Sequence, residues 1–440
     1  MPEFWKEKFG FVCNEIEADV SFSDKALDSF FSPNGPLAHA QELAAEIFKV
    51  EHALFTTCGT TVSNRIVLDA LGGPGTRILI DGASHQSVLF SATTLGMETT
   101  IIAPKTHGAC NIPDLAELVS VLKTSYDEQR PFDVVVLTAS SYDGYLVNMD
   151  EMLPRLIDAS PTTSVLIDAA WSAIHMFSED LRFASPFDVV NRLRNEGRDL
   201  PSIIVTTSIH KTMCSLRQGS IILVANDDNC INSMRTSLFM NHSTSPSWPI
   251  LGSIDLACTH ASQFGNQMVS AAIALRQYFI NELRDDPVLA KLLLADYDHF
   301  ETVSTLQQDP LKVIIDTSSL GKPAEVRNRL FSEYGIYVSR CNGAGMLLNF
   351  TIGVSREDVD NLLNALSEIS MQRSSNIQLE RFPTPGTVSS EFVIAYPPGN
   401  IIVKPGDNWS TSQMNMLDFE ISAGAEIFRI SNKHNERKYV

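Results

Sequence analysis

Ile203-Ile204-Val205-Thr206-Thr207-Ser208-Ile209-His210-Lys211-Thr212 is the stretch that decides the fold. Its first half is β-branched and largely apolar, the composition of a strand covered on both faces. It runs into a polar turn that carries a lysine. Upstream, Val165-Leu166-Ile167 is a second apolar run, and it stops at Asp168. A lysine just past one strand and an aspartate at the tip of another is the geometry that pyridoxal phosphate (PLP) needs. The lysine amine forms a Schiff base with the cofactor aldehyde. The aspartate holds the pyridine nitrogen protonated, so that the ring accepts electrons from a carbanion. Each residue also has a plainer reading: Asp168 as a helix N-cap, Lys211 as a solvated amine.

Working outward, short apolar runs recur at Ala53–Thr57, Arg77–Ile80, Glu98–Ile102, Val134–Thr138, Val165–Ile167, Ile203–Thr207 and Ser220–Val224, with helical stretches between them. Strands alternating with helices predict crossover units and a mainly parallel sheet of seven strands, an α/β large domain. In such sheets ligands sit beyond the carboxyl ends of the strands. Residues 38–49 read as an amphipathic helix, and 254–294 as helix leading out of the large domain. From about 311 the texture changes to a smaller α+β unit, with strands at Leu311–Asp316 and Met346–Phe350 and helices at Pro323–Tyr334 and Ser355–Ser370. A linker at Met371–Asn376 and Pro/Gly-rich loops at Arg381–Gly386, Tyr396-Pro397-Pro398-Gly399 and Lys404–Asp407 follow. The expected division is 1–45 as an N-terminal segment, 46–295 as the cofactor-binding large domain and 296–440 as the C-terminal α+β domain.

Thr57-Cys58-Gly59-Thr60-Thr61 follows a strand and opens a helix. Glycine lets the backbone approach an anion, and the helix start offers free N–H groups, a positive dipole end and two hydroxyls. That is a phosphate cradle, although many such turns are plain N-caps. Ser208 and His210 flank the lysine and are placed to serve the same phosphate. His85, just after the strand that ends at Asp81, offers a ring to stack on the pyridine face. Ala170 is small enough for the other face to pack closely. The order along alternating strands decides between readings: phosphate turn, ring-stacker, aspartate, lysine.

Composition narrows the class. The chain has 440 residues, 44% apolar and 19% charged, which excludes global disorder. A formal charge of −19 argues against nucleic acid or anionic membrane as partner, since phosphate contacts need clustered Lys and Arg. The seven cysteines are scattered without a C-x-x-C pair, which argues against a zinc site or a disulfide framework; no metal is expected, and the pattern fits a reducing cytoplasm. The N-terminus lacks the apolar core of a signal peptide, and no run of about 18 apolar residues suggests a membrane span.

The chain resembles the Orn/Lys/Arg decarboxylase family of fold-type I (aspartate-aminotransferase-like) PLP enzymes, in the short form without the N-terminal wing. The resemblance rests on Gly35–Ala45, Gly59-Thr60-Thr61, Asp81–Ser87, Ser141-Tyr142-Asp143-Gly144, Asp168–Trp171, Ser208–Thr212, Thr244-Ser245-Pro246-Ser247, Tyr396–Gly399 and Pro405-Gly406-Asp407, in family order over nearly the whole chain. It implies that Thr60, Thr61, Ser208 and His210 hold the phosphate, that His85 stacks on the ring with Ala170 opposite, and that Asp168 pairs with the pyridine nitrogen. Lys211 is the implied Schiff-base lysine; either it or His210 is the candidate proton donor to the substrate Cα. Thr244 is implied to reach the phosphate of a neighbouring subunit, so the active unit is a homodimer or higher homo-oligomer with shared sites. The implied reaction is decarboxylation of a basic amino acid such as lysine, ornithine or arginine.

Departures from the family pattern motivate an alternative. Asp168-Ala169-Ala170-Trp171-Ser172-Ala173-Ile174 lacks the family's acidic second residue and its terminal histidine, although His175 follows. Cys58, Arg217, Ser339 and Arg340 also depart. The alternative is a PLP enzyme of the same fold with another reaction: oxygen-dependent oxidation, cyclisation, elimination or transamination. A cationic substrate side chain needs a carboxylate, because a buried unpaired charge is costly. Glu391 and Asp407 are the candidates. Arg217 and Arg340 suggest instead an anionic substrate group.

Overall fold

The computed structural model describes residues 19, 28–107, 110–142, 144–226, 230–293, 305–338, 340–342, 345–371, 385–396, 399–422, 425–431 and 437–439. Asp143, Ser339, the linker beyond Met371, residues 381–384 and Pro397-Pro398 lie outside them.

The expected strands form a seven-stranded central sheet. In chain order they are β1 (His52–Thr56), β2 (Arg77–Ile80), β3 (Glu98–Ile101), β4 (Val134–Thr138), β5 (Ser164–Asp168), β6 (Ile203–Ser208) and β7 (Ser220–Ala225). Their spatial order is β1-β7-β6-β5-β4-β2-β3. β7 runs antiparallel to both its neighbours, and the remaining pairs are parallel. Only Lys211 and its short turn separate β6 from β7, too few residues for a crossover, so β7 must return antiparallel. Ile203, Ile204, Val205, Ile221, Ile222 and Leu223 are fully buried. This two-sided cover is why these strands read as continuous apolar runs. Each such side chain contributes about 1.5–3 kcal/mol by leaving water.

The helix expected at 38–49 spans Pro36–Phe48. The long helix Trp248–Asp285 buries Leu251, Ile254 and Ala261 in the main core and Phe279, Ile280 and Leu283 in a second one. That second core belongs to a three-stranded antiparallel sheet (Lys312–Asp316, Gly345–Asn349, Arg340–Asn342) and the helices Pro323–Tyr334 and Arg356–Met371. A third core lies under Glu391–Tyr396, Asn400–Val403 and Glu426–Ser431, with Trp409 and Leu417 of the segment and helix that follow. Where described, the segments read as loops are turns, and the strands Glu391–Tyr396 and Asn400–Val403 between them are what the sequence reading missed. Turn residues dominate the local composition, while the strands are short and half-covered. Gly399 has φ +111°, and a Cβ there would stand 2.9 Å from the Gln86 side chain. The left-handed φ is what favours glycine at this turn, which rests against Gln86 at the start of the helix Gln86–Thr94. Phe392 packs edge-on against Phe90 beside it.

Candidate active site

The carboxyl ends of β1, β2, β4, β5 and β6 open into a cavity of about 1250 Å³. Thr60, Thr61, His85, Asp168, Ala170, Ser208, His210 and Lys211 all line it. The structure therefore brings together every expected site residue except Thr244. That residue is exposed in the loop before Trp248 and does not line the cavity of its own chain.

The phosphate turn is built from backbone geometry. Gly59 has φ +70° with open space where a Cβ would stand, and its N–H donates to the Gln218 carbonyl at 2.8 Å. The helix Gly59–Leu71 starts here and aims its first amides at the cavity. A cluster of hydroxyls lies beneath. Thr60 Oγ1 contacts Ser208 Oγ at 2.6 Å and Ser220 Oγ at 3.0 Å, and Ser63 Oγ contacts Ser220 Oγ at 2.9 Å. Ser220 stands opposite Ser208 in the β6–β7 register, so the antiparallel return supplies it.

Asp168 is buried at the tip of β5. Its Oδ1 accepts from the Ala170 N–H at 3.1 Å and its Oδ2 from Asn64 Nδ2 at 3.0 Å. Asn64 lies one helical turn beyond Thr60. It also donates to Ser87 Oγ at 3.1 Å and accepts from Thr206 Oγ1 at 2.6 Å. Ser87 in turn meets His85 Nδ1 at 2.9 Å. One network therefore fixes the aspartate and the ring-stacking candidate together. The His85 loop is held by Asp81, which accepts from the N–H groups of Ala83 and Thr138 at 2.8 and 2.6 Å. Asn64, Ser87, Ser63 and Ser220 are missing from the sequence expectations. The only signal was the one-turn spacing from Thr60 to Asn64.

Lys211 sits on the four-residue helix Ile209–Thr212, with Nζ 4.8 Å from the centre of the Trp171 ring. Burial lowers its pKa, Asp168 opposes the change, and Lys312 reinforces it. A buried amine with a depressed pKa is a nucleophile in its neutral form. His210 Nδ1 donates to the Gly219 carbonyl at 2.9 Å, leaving Nε2 as the acceptor; burial lowers its pKa too.

The far wall comes from the C-terminal segments: Asn400–Lys404, Asp407, Gln413 and Glu420. Arg340 lines it as well. Its charge is met by the buried Glu420 at 3.1 Å, and Asn400 Nδ2 donates to the same carboxylate oxygen at 3.2 Å. Of the four charged candidates for a substrate group, Arg340 and Asp407 line the cavity. Arg217 is exposed outside it, and Glu391 pairs with Arg429.

The donor set fits PLP. A helix start with hydroxyls suits a phosphate, a buried carboxylate suits a ring N–H, and a buried amine suits an aldehyde, all in one cavity.

The family model described as "Orn/Lys/Arg decarboxylase, major domain" matches residues 3–358. The arginine decarboxylase of Bacillus subtilis (strain 168) is 25% identical, over 94% of this chain and 87% of its own length. The lysine decarboxylase LdcA of Pseudomonas aeruginosa is 24% identical, over 83% of this chain and 55% of its own. The crystal structure of the Francisella novicida lysine decarboxylase LdcF superimposes with a TM-score of 0.78 at 19% identity, covering 96% of this chain and 72% of that one.

Proposed function

The chain belongs to the Orn/Lys/Arg decarboxylase family, and from that we propose that it decarboxylates lysine, ornithine or arginine with PLP held at Lys211. The observation that carries the assignment of roles is the convergence of Lys211, Asp168 and the Gly59–Thr61 turn on one cavity. When bound, PLP supplies an aldehyde carbon and a ring that takes up the electrons left by CO2.

The residues of this chain do the rest. The N–H groups opening Gly59–Leu71 and the hydroxyls of Thr60, Thr61 and Ser208 hold the phosphate, with His210 beside them. Asp168 would receive the ring N–H on a carboxylate already held by Asn64 and the Ala170 amide. His85 and Ala170, both lining the cavity, would contact the ring from its two faces. Lys211 Nζ, whose pKa burial lowers, would supply the covalent link and carry the proton returned to the substrate Cα. His210 Nε2 is the second proton carrier. The C-terminal segments wall one side of the cavity, and displacing water there would strengthen each of these electrostatic contacts. Asp407 is the carboxylate for a cationic substrate side chain.

A shared dimeric site is supported by exposed Phe239 and Met240 near Thr244, and by exposed Leu256 and Phe264 on the following helix. Cytoplasmic residence is supported by the free thiols of Cys58, Cys214, Cys230, Cys258 and Cys341. Among the described residues, no helix is long and apolar enough to cross a membrane. The roles are tested by borohydride reduction of the PLP-loaded protein and peptide mass spectrometry. A pyridoxyl adduct on Lys211, absent in Lys211→Ala, is expected. An adduct on another lysine overturns the assignment.

A further inference from the structure

Next to Trp171 lies a set of charges that the roles above leave unused. Lys312 opens the strand Lys312–Asp316 and is almost wholly buried, outside the cavity lining. Its Nζ is 5.2 Å from the centre of the Trp171 ring, the ring that also carries Lys211 Nζ at 4.8 Å. Each ammonium is attracted to the indole, but two of them on one ring repel each other across a low-dielectric interior.

The hydrogen bonds show which one is anchored. Lys312 Nζ donates to the Ser141 carbonyl at 2.9 Å and pairs with Asp309 Oδ2 at 3.2 Å. Asp309 Oδ1 meets His175 Nε2 at 2.9 Å and accepts from the Leu311 N–H at 3.0 Å. Burial alone pushes the Asp309 carboxyl up, but His175 and Lys312 more than reverse this, so it stays ionised well below the ordinary carboxylate range. Around Lys211 stand Asp168 and Lys312, its neighbour His210, and Arg340 on the far wall. Asp168 favours a positive charge on Lys211, and Lys312 opposes it.

We propose that the Asp309–Lys312 pair, braced by His175 and the Ser141 carbonyl, is a positioning device that keeps a permanent positive charge on the Trp171 ring so that Lys211 Nζ is the nitrogen that gives up its proton. The inference rests on Lys211 as the cofactor lysine. A lysine that carries a fixed positive charge nearby is a better nucleophile at neutral pH, and its nitrogen releases a proton more readily once linked to the cofactor.

The test is a spectrophotometric pH titration of the PLP-loaded protein, following the visible absorption of the Lys211-linked cofactor. Lys312→Gln raises the midpoint by about one pH unit, the effect of removing one neighbouring charge. Lys312→Arg restores the charge and returns the midpoint to within about 0.3 unit of the parent. An unchanged midpoint in folded Lys312→Gln overturns the inference. Should that variant fail to fold, Lys312→Met, which keeps the apolar stem without the charge, takes its place, and an unchanged midpoint there overturns the inference equally. Arginine does not deprotonate, so a midpoint about one unit lower in Lys312→Arg shows that Lys312 carried no fixed charge, and overturns the inference. Borohydride trapping separates the two layers. An adduct on Lys211 with an unmoved midpoint refutes only the positioning role, whereas an adduct elsewhere refutes the cofactor assignment itself.

Discussion

Replacing Asn64 by leucine removes the hub that sequence reasoning did not find. The side chain is fully buried and bonds Asp168, Ser87 and Thr206. Leucine keeps the branched shape and the number of heavy atoms but offers no polar atom, so the change acts chiefly through hydrogen bonds. Asp168 loses one of the two donors that orient it. A hydrogen bond to a charged group contributes about 1.5–3 kcal/mol, and an unmatched buried hydroxyl at Thr206 costs a further 1–3 kcal/mol, roughly. The first quantity appears as weaker cofactor binding: about 10- to 100-fold in the PLP dissociation constant, since each 1.4 kcal/mol, roughly, is tenfold. The second lowers the melting temperature by about 1–3 °C, given an unfolding entropy of roughly 2.1 cal/mol/K per residue over 440 residues. The assay is fluorescence titration of cofactor-stripped protein with PLP, beside thermal melts of both proteins. Folded Asn64→Leu that binds PLP within about threefold of the parent would refute the view that this network aims Asp168 at the ring nitrogen.

Thr60→Val removes the hydroxyl that joins Ser208 and Ser220 under the phosphate turn, and a tenfold or greater rise in the PLP dissociation constant is expected from the same titration. Glu420→Gln removes the charge facing buried Arg340, which costs about 3–5 kcal/mol; a chemical-denaturation midpoint equal to the parent's would show that the pair does not tie the small sheet to the C-terminal helix. Stability should also fall with acid in two stages. Burial lowers the pKa of His210 and His242 in the folded chain, so the unfolded chain takes up protons first, and stability declines as pH drops below about 6.5. The depressed carboxyl of Asp309 adds a loss that starts near the unfolded carboxylate value of about 3.9 and grows as pH falls further. Melting temperature against pH checks the first stage, and His242→Gln, which loses one of the two histidines, should flatten it. A profile that stays flat down to about pH 5 would be inconsistent with both shifts.

Much of the large domain was legible because its signals are local. Apart from the edge strand Glu98–Ile101, each central strand is a short, largely apolar run, and Gly59, Asp168 and Lys211 all stand where a strand ends. What was hidden depends on contacts distant in sequence. Asn64 reads as an ordinary polar interruption in an amphipathic helix until the sheet places Asp168 and Thr206 against it. Arg340 reads as a free cation, yet its partner Glu420 lies on a helix in the third core. Glu391 reads as a loop carboxylate, but it starts a strand whose pairing with Glu426–Ser431 sets it against Arg429, away from the cavity. Ser220 enters the phosphate site only because β7 returns antiparallel. That return could have been inferred from the short span between Ser208 and Ser220, although nothing in the apolar pattern states a strand's direction.

The most direct measurement is mass spectrometry of the products formed by purified, PLP-loaded protein from lysine, ornithine and arginine in turn, under air and under nitrogen. A diamine from lysine or ornithine, or agmatine from arginine, formed equally under both gases is the expected result, and it names the substrate. A product that requires oxygen, or no product from any of the three, would contradict decarboxylation of a basic amino acid.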